Sequence, residues 1–343
     1  MKHGADIYKY AKRIGVSPKE LIDFSSNINH YQPEIDLSLS TRDIALYADS
    51  RYREFRTLIA EKYTLKKNQI KLFNGATSAI YSLFTSIKRK DFFLYTPLYG
   101  EYEKAALLAK KNIYKINRIE DEIQMPTEDS VVVFVNPSTP EGTYYDNLKE
   151  LLEQWIALKC TIIIDESFLA FEELASIRQE INNYKRLYIV HSFSKFYSCA
   201  GVRVGAIFSD KKNIKKLQTP LWNISTLDIS FLSQRLLDEK FIKTSRERHK
   251  IQKNELIKIL TDSKHFSEIV ESNTNFILAL TKNGEEMFDK LLEQKILVRK
   301  CASFDYLSNN WLRFAVKDKE AHQRLKVALE LLKAEHKKKS LRD

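Results

Sequence analysis

Lys195 lies in a segment whose residue types could support covalent chemistry. The segment 191–205 reads HSFSKFYSCAGVRVG, so Ser192 and Ser194 precede the lysine closely and Arg203 follows it by eight residues. A lysine beside another cationic group can have a lowered pKa and form a Schiff base, and the arginine could also bind a phosphate. An isolated lysine is more often a solvated surface charge. The segment therefore indicates either a reactive amine or an ordinary surface residue.

Asp165 ends a second hydrophobic run. It is the last residue of TIIID, so its carboxylate stands at the end of an expected strand. There it could hold the cationic nitrogen of a ring, bind a metal ion, or cap the next helix. The sequence has no cluster of His or Cys near Asp165, and we therefore predict no metal site.

The segment NGATSAI (74–80) joins an expected strand to an expected helix. Its small residues Gly75, Ala76 and Thr77 would leave backbone N–H groups open to an anion, which the helix dipole also favours. The same residues could simply form a turn and a helix cap. Taken with the aspartate and the lysine, which follow it in this order, the segment favours a site for a phosphate-bearing ligand.

Short apolar runs alternate with amphipathic helical segments between residues 70 and 210. Runs such as VVVFV (131–135) are continuously apolar, which is typical of parallel strands buried on both faces. The sequence therefore predicts an α/β fold with a mostly parallel sheet between helices. Ligands bind such folds at the carboxyl ends of strands. Five polar residues lie at or just past such ends: Asn74, Tyr99, Asn136, Asp165 and Lys195.

The pattern changes after residue 225, where a long charged helical stretch is followed by short apolar runs and a terminal helix. We predict a small C-terminal α+β domain at 226–343 and a large domain at 34–225. Residues 1–33 would form an N-terminal arm that packs with the small domain.

Composition excludes several classes of protein. The chain has 343 residues, 43% of them hydrophobic, with only 8 Gly and 7 Pro, which indicates globular domains. Its three cysteines lack paired spacing, and it has neither an apolar leader nor a membrane-length run, so we predict a cytoplasmic protein without membrane contact. The formal net charge is +11, but the lysines are spread along the chain and no nucleic-acid-binding module accompanies them. We therefore predict no nucleic-acid partner.

The order of the motifs resembles that of the fold-type-I pyridoxal-phosphate enzymes, the class I/II aminotransferase family, over nearly the whole chain. The match rests on S-K-x7-R at Ser194, Lys195 and Arg203, with Asp165 thirty residues before the lysine. The resemblance implies a seven-stranded, mostly parallel sheet sandwiched by helices, a smaller α+β domain and pyridoxal 5′-phosphate as cofactor. It implies that Lys195 is the Schiff-base lysine and that Asp165 pairs with the pyridinium nitrogen, which keeps the ring an electron sink.

The resemblance assigns further residues to the cofactor. Tyr99, in TPLYGEY, would stack on the cofactor ring as part of the catalytic set. The cofactor phosphate would be held by Gly75, Ala76, Thr77, Ser192, Ser194 and Arg203. Tyr47, in IALYADSRY, resembles a tyrosine that reaches the phosphate of the neighbouring subunit, which implies a homodimer with shared active sites.

Two positions depart from the family pattern. Thr139, in NPSTPEG, stands where an asparagine usually meets the phenolic oxygen of the cofactor, and Phe168 stands where a tyrosine is common. A threonine hydroxyl can still donate one hydrogen bond, so Thr139 remains a predicted cofactor contact. The departures predict a modified activity or a degenerate site.

Two stretches resemble threonine-phosphate decarboxylases of cobalamin biosynthesis more than the related histidinol-phosphate aminotransferases. They are KHGADIYKYAKRIGVSPKELIDFSSNIN and ILVRKCASFDYLSNNWLRFAV. The resemblance implies an amino-acid substrate with a phosphate on its side chain. Arg313 would bind its carboxylate through a bidentate fork, and the candidates for its phosphate end are Arg299, His3 and Asn29.

Three functions remain open from the sequence. The first is decarboxylation of threonine phosphate or serine phosphate to the amino-alcohol phosphate and CO2. The second is transamination of histidinol phosphate or an aromatic amino acid. The third is a non-catalytic protein that binds an anionic partner. The first two use the same residues and differ in which substrate bond stands perpendicular to the cofactor ring, an orientation that the sequence does not show.

Overall fold

The computed structural model of the protein describes residues 6–35, 37, 39–120 and 123–340. The chain forms two compact units. The large unit comprises residues 32–138 and 144–243, and the small unit comprises the residues up to Tyr31, Thr139–Thr143 and those from Thr244 onward. These divisions differ from the predicted domain boundaries, since residues 226–243 group with the large unit and Thr139–Thr143 with the small one.

The described residues form thirteen strands and eleven α-helices. In chain order the strands are β1 (Ile22–Asp23), β2 (Ile70–Asn74), β3 (Asp91–Thr96), β4 (Asn112–Asn117), β5 (Val131–Val135), β6 (Thr161–Asp165), β7 (Leu187–Ser192), β8 (Val204–Ser209), β9 (Phe266–Ile269), β10 (Phe276–Thr281), β11 (Ile296–Leu297), β12 (Arg299–Lys300) and β13 (Trp311–Ala315). The helices are α1 (Ile7–Ile14), α2 (Thr41–Ala45), α3 (Arg53–Tyr63), α4 (Gly75–Ser86), α5 (Glu101–Leu108), α6 (Leu148–Ala157), α7 (Lys211–Ile214), α8 (Thr226–Leu237), α9 (Glu239–Ser263), α10 (Gly284–Glu293) and α11 (Lys319–Ser340).

A seven-stranded sheet forms the centre of the large unit, with the strand order β2-β8-β7-β6-β5-β3-β4. The pairings of β3 with β4 and β5, of β5 with β6 and of β6 with β7 are parallel, whereas β8 runs antiparallel to both of its neighbours. Every residue of β5, β6, β7 and β8 is buried. The predicted α/β fold with a mostly parallel sheet is therefore confirmed, because continuous apolar runs are stable only when both faces of a sheet are covered.

The strand order reverses between β3 and β5, since the chain passes from β3 outward to β4 and then returns to β5 on the other side. In open α/β sheets such a switch point opens a crevice beyond the carboxyl ends of the strands. Tyr99 follows β3 and Asp165 ends β6. The topology thus provides a crevice at the edge where the sequence predicts the ligand site.

The small unit contains an antiparallel sheet of order β12-β13-β10-β9 and a short parallel pair, β1 with β11. Helices α1, α10 and α11 contribute apolar residues to one core with these strands, including Phe288, Leu325 and Phe314. This arrangement holds β12 and β13, the strands that carry Arg299 and Arg313, side by side.

The charged helical stretch after residue 225 is interrupted, although the sequence suggests one continuous helix. Helix α8 ends at Leu237 and α9 begins at Glu239. Between them, the Asp238 carboxylate accepts a hydrogen bond from the Phe241 backbone N–H at 2.8 Å. An aspartate that caps a new helix N-terminus competes with continuation of the preceding helix, which explains the break.

No helix among the described residues is long and apolar enough to cross a membrane. Within residues 6–35, 37, 39–120 and 123–340 there is also no group of three or more His, Cys, Asp or Glu side chains arranged to hold a metal ion.

Two buried histidines predict an acid-sensitive fold. Burial lowers the pKa of His191 and of His249 to about 3 from the usual 6.5. The unfolded chain therefore binds more protons than the folded chain between these values, and the free energy of unfolding falls as the pH drops from 6.5 toward 3. At pH 5 each histidine is expected to lower it by about 2 kcal/mol. Urea unfolding at pH 7.5 and pH 5.0 measures the difference.

The His249→Gln protein is the control for this pH dependence, because glutamine does not titrate. Its loss of stability between pH 7.5 and pH 5.0 is expected to be smaller than that of the wild type by about 2 kcal/mol. An unchanged loss would show that His249 does not contribute.

Candidate active site

The N-terminus of α4 and the side chain of Arg203 lie side by side in the large unit. They form part of a candidate anion-binding site, which we call the cradle. Gly75 opens the helix with φ +79°, a conformation that favours glycine. A Cβ atom at Gly75 would lie 2.6 Å from Arg203 Nη2, so the guanidinium lies directly against the bare backbone. Arg203 Nη1 donates to the Ala200 carbonyl at 3.0 Å. A fixed guanidinium beside a helix N-terminus is suited to a phosphate.

Gly205 brings Ser192 and Ala76 close together at the cradle. Ser192 pairs with Gly205 across β7 and β8, and a Cβ atom at Gly205 would collide with the Ala76 backbone nitrogen. Only glycine allows β8 to approach the first turn of α4 this closely. The sequence motifs NGAT and HSFSK, more than one hundred residues apart, therefore meet at one place.

Thr77 and Tyr99 extend this group toward the crevice. The Thr77 hydroxyl lies 3.4 Å from the Tyr99 hydroxyl, and burial raises the pKa of Tyr99 above its usual value. Tyr99 thus remains a neutral phenol at physiological pH. Its half-buried ring packs against the apolar core of the large unit.

Asp165 is buried at the end of β6, with defined partners on both oxygens. Oδ2 accepts a hydrogen bond from the Tyr102 hydroxyl at 2.7 Å, and Oδ1 accepts one from the Ser167 backbone N–H at 2.9 Å. Burial and the negative charge of Asp165 raise the pKa of Tyr102 well above its usual value, so the phenol stays a donor. Each carboxylate oxygen keeps a lone pair for a cationic partner.

Tyr102 is a residue that the sequence analysis missed. It lies three residues after Tyr99 in TPLYGEY, and its backbone N–H donates to the Tyr99 carbonyl at 3.0 Å. The i, i+3 spacing of two tyrosines at a helix start indicates one shared face and could have pointed to it.

Lys195 lies three residues beyond the end of β7 and is half-buried. Ser192 and Ser194, on either side of Phe193, are buried, and their hydroxyls make no hydrogen bond to another described residue. Hydroxyls without such partners can form hydrogen bonds with a ligand. A ring compound that carries a phosphate would therefore fit these groups. They are the hydrogen-bond donors of the cradle, the buried carboxylate of Asp165 and the amine of Lys195.

Arg313 and Thr139 meet in the small unit. Arg313 is buried, its Nη1 donates to the Thr139 hydroxyl at 3.0 Å, and its guanidinium stacks over the Phe276 ring at 4.6 Å. Burial lowers the pKa of Arg313 to about 10, which leaves it charged at neutral pH. The predicted contact of Thr139 with the cofactor stays a prediction, and the hydroxyl has this partner in the structure.

Arg299 pairs with Arg313 directly across β12 and β13. Its Nη2 donates to the Ser303 hydroxyl at 2.9 Å, and burial lowers its pKa. Among the described residues, no carboxylate lies within ion-pair distance of either guanidinium. Like charges directly opposite each other destabilise a sheet, so this pair favours an anionic ligand.

The remaining predicted residues are distributed as follows. Asn29 is buried in the small unit and donates to the Ser245 hydroxyl at 3.0 Å. Tyr47 is 78% exposed in the large unit, where its ring stacks on Trp222 at 4.5 Å. Phe168 is buried. His3 lies outside the described residues.

The model of the family described as "Aminotransferase class I and II" matches residues 19–329. The chain belongs to this family. The resemblance inferred from the motifs is thereby confirmed, and pyridoxal 5′-phosphate is the expected cofactor, which the donor set in the large unit fits.

The curated relatives of this chain carry several different names. The adenosylcobalamin biosynthesis bifunctional protein CobDQ of Leptospira interrogans is 28% identical over 94% of this chain, which spans only 40% of that protein. The histidinol-phosphate aminotransferase of Flavobacterium johnsoniae is 26% identical over 91% of this chain and 90% of its own length. The threonine-phosphate decarboxylase of Salmonella typhimurium is 23% identical over 95% of each protein.

Solved structures of the family share the fold. The histidinol-phosphate aminotransferase of Clostridium acetobutylicum has a TM-score of 0.82 and 27% identity, covering 92% of this chain and all of that chain. The histidinol-phosphate aminotransferase of Sinorhizobium meliloti, solved in complex with pyridoxal-5′-phosphate, has a TM-score of 0.82 at 15% identity, covering 95% and 93% of the two chains. The latter likeness shows the fold alone.

Proposed function

We propose that the protein is a pyridoxal-phosphate-dependent decarboxylase of an O-phosphorylated hydroxy-amino acid, threonine phosphate or serine phosphate. The observation that carries the proposal is the pair of opposed arginines, Arg299 and Arg313, without a described carboxylate partner. Threonine phosphate and serine phosphate each carry two anionic groups, a carboxylate and a phosphate. Histidinol phosphate carries a phosphate but no carboxylate and would use only one such arginine.

The two arginines differ in a way that supports separate roles. Arg313 is held by Thr139 and Phe276 and is buried, which suits a bidentate fork on a carboxylate. Arg299 contacts Ser303 and Phe304 and is less buried, which suits a phosphate at the far end of the substrate. The likeness to a threonine-phosphate decarboxylase over 95% of the chain supports the same substrate class.

In this proposal Lys195 holds the cofactor through its amine, and the cradle of Gly75, Ala76 and Arg203 holds the phosphate. When bound, the cofactor supplies a ring that takes up the electron pair of the bond broken at the substrate Cα. Asp165, kept in position by Tyr102, provides the negative charge that favours a protonated ring nitrogen. Arg313 orients the carboxylate for departure as CO2, and Lys195 or water then delivers a proton to Cα.

Transamination is the second candidate function. Lys195 would then remove the Cα proton of histidinol phosphate or of an aromatic amino acid instead. The likeness to histidinol-phosphate aminotransferases, at 26–27% identity over more than 90% of the chain, favours this alternative. A modest rotation of the substrate about the bond between Cα and its nitrogen would decide between decarboxylation and transamination.

A product assay distinguishes them. The cofactor-loaded protein is incubated with threonine phosphate and separately with serine phosphate, without any keto acid, while CO2 and the amino-alcohol phosphate are measured. Release of both products in equal amounts is expected, with the Lys195→Arg protein as the inactive control. Absence of CO2, with turnover of histidinol phosphate only after 2-oxoglutarate is added, would overturn the proposal in favour of transamination.

Replacing Arg313 by lysine is expected to lower kcat/KM for the phosphorylated substrate about 100-fold, because a point charge cannot replace a buried bidentate fork. The measurement is a comparison of kcat/KM for the wild type and Arg313→Lys. Lys300→Arg serves as the control, since that neighbouring cation pairs with Glu285 at 2.6 Å and has no proposed role. Equal effects of the two changes would argue against Arg313 as a substrate ligand.

We further propose a homodimer in which Tyr47 contacts the cofactor phosphate bound by the neighbouring subunit. Tyr47 stacks on Trp222, and both rings are exposed, as are Leu46 and Leu221 in the same unit. Exposed aromatic and aliphatic groups of this kind are typical of an interface.

Mixing two inactive variants tests the shared site. Tyr47→Ala and Lys195→Ala subunits are unfolded together and refolded as a mixture. Half of the dimers would be mixed, and each of these would have one intact site, so about a quarter of wild-type activity is expected to return. A mixture that stays inactive, although the separately refolded wild type recovers, would contradict the shared site.

A further inference from the structure

We propose that the Tyr63 hydroxyl is a positioning group that fastens both ends of the segment carrying Lys195. Tyr63 is the last residue of α3, and its hydroxyl lies 3.0 Å from His191 Nε2 and 3.2 Å from the Tyr197 hydroxyl. His191 immediately precedes Ser192, and Tyr197 follows Lys195 by two residues. One oxygen thus joins the start and the end of the segment 191–197, which we call the lysine segment.

The Tyr63 ring is held in place independently of its hydroxyl. It packs edge-on against His191 and Phe193 with centroid distances of 4.9 and 6.1 Å. The Arg178 guanidinium lies 5.1 Å from its centroid, and Arg178 Nε donates to the Tyr63 carbonyl at 3.2 Å. A phenylalanine at this position would therefore keep the packing and remove only the hydroxyl.

His191 depends on this hydroxyl for its polar contact. The ring is buried, and Nδ1 has no hydrogen-bond partner among the described residues, so Tyr63 is the one described hydrogen-bond partner of the imidazole. Burial also keeps His191 neutral, because it lowers the pKa to about 3. Without the Tyr63 hydroxyl, the buried imidazole would lose that contact, which favours movement of the lysine segment.

The two hydrogen bonds of the Tyr63 hydroxyl would affect how firmly the cofactor is held, an inference that rests on the proposed role of Lys195. Ser192, Ser194 and Lys195 all lie within the lysine segment, whereas Gly75 and Ala76 belong to α4 and Arg203 immediately precedes β8. A lysine segment fastened at both ends keeps these three groups in one arrangement before the cofactor arrives. Such preorganisation is expected to slow the release of the cofactor.

The test compares Tyr63→Phe with Tyr95→Phe. Tyr95 is a matched control, since it is a buried tyrosine of the same unit whose hydroxyl also has two partners, the Gln124 carbonyl at 2.9 Å and Trp155 Nε1 at 3.1 Å. Hydrogen exchange is measured on the cofactor-free proteins for the peptide 192–199, whose Cys199 N–H is bonded to the Ser194 carbonyl at 3.1 Å. The rate of cofactor loss after dilution is measured separately by absorbance of the loaded proteins.

In Tyr63→Phe, exchange of this peptide and loss of the cofactor are both expected to accelerate on the order of tenfold, which corresponds to two lost hydrogen bonds. Tyr95→Phe is expected to change neither rate more than about twofold, because its hydroxyl contacts no part of the lysine segment. Equal rates in the two variants would overturn the positioning role. A wild-type protein that takes up no cofactor would overturn the proposed function instead, while the exchange rates would still decide whether Tyr63 fastens the segment.

Discussion

The Lys195→Ala and Lys195→Arg proteins are expected to lose activity by a factor on the order of 10⁴ or more, because no other group can replace a covalent amine that also transfers a proton. The loaded wild type is expected to show an absorbance band from the cofactor joined to Lys195. Neither variant should show that band, although both should fold. Steady-state assays and absorbance spectra after incubation with pyridoxal 5′-phosphate measure the two effects.

The Lys195→Arg protein shows whether Lys195 acts through its reactive amine or only through its positive charge. Its guanidinium would keep a cation near Ser192 and Ser194 but cannot act as the nucleophilic amine. Lys185→Ala is the surface control, since Lys185 is exposed and forms an ion pair with Asp210 at 3.6 Å. Retention of the band and of activity in Lys195→Arg would mean that Lys195 contributes charge alone.

The Asp165→Asn protein is expected to lose kcat/KM by a factor of about 10³, because it leaves a buried cationic ring nitrogen without its counter-charge. Asparagine keeps the shape of the side chain and can still accept the hydrogen bond from Tyr102. The loss therefore reports on the charge of Asp165. Measurements of kcat/KM and of cofactor retained after gel filtration check the prediction.

Glu166→Gln is the matched control for this change. Glu166 is the next residue and is also buried, but its carboxylate accepts hydrogen bonds from Ser176 and from the Ile177 N–H and pairs with Arg178 at 3.6 Å. Its neutralisation is expected to lower stability while leaving kcat/KM within about threefold of the wild type. If the two variants lose kcat/KM equally, the effect belongs to buried charge in general and the proposed pairing of Asp165 is wrong.

Much of the large unit could be predicted from local pattern. The strands β5 and β6 are short, wholly buried runs, and such runs are stable only between two layers of helix. Asp165 and Lys195 attract notice because each polar group stands at or just past the end of such a run. These signals lie within a few consecutive residues, and a sequence therefore displays them without any knowledge of the fold.

Strands β4 and β9 lack the continuous apolar runs that indicate strands such as β5 and β6 in the sequence. Strands β4 and β9 are the outer strands of their sheets, and most of their residues are exposed or half-buried. An edge strand has one neighbour, so its hydrophobic pattern is weak and its sequence resembles that of a loop. The break at Asp238 was missed for a related reason, because a single cap outweighed a helical pattern that continues on both sides.

The α/β character of the chain, its family and the residue types available for binding a phosphate-bearing cofactor are all visible in the amino-acid sequence. They follow from hydrophobic period and motif order, which are local properties. The partners of these residues emerge only from the folded chain: Arg203 against Gly75, Tyr102 on Asp165, Thr139 on Arg313, and Tyr63 between His191 and Tyr197. In every case the two partners are more than sixty residues apart in the sequence. Contacts of this kind depend on the close approach of two backbones, which no local pattern encodes.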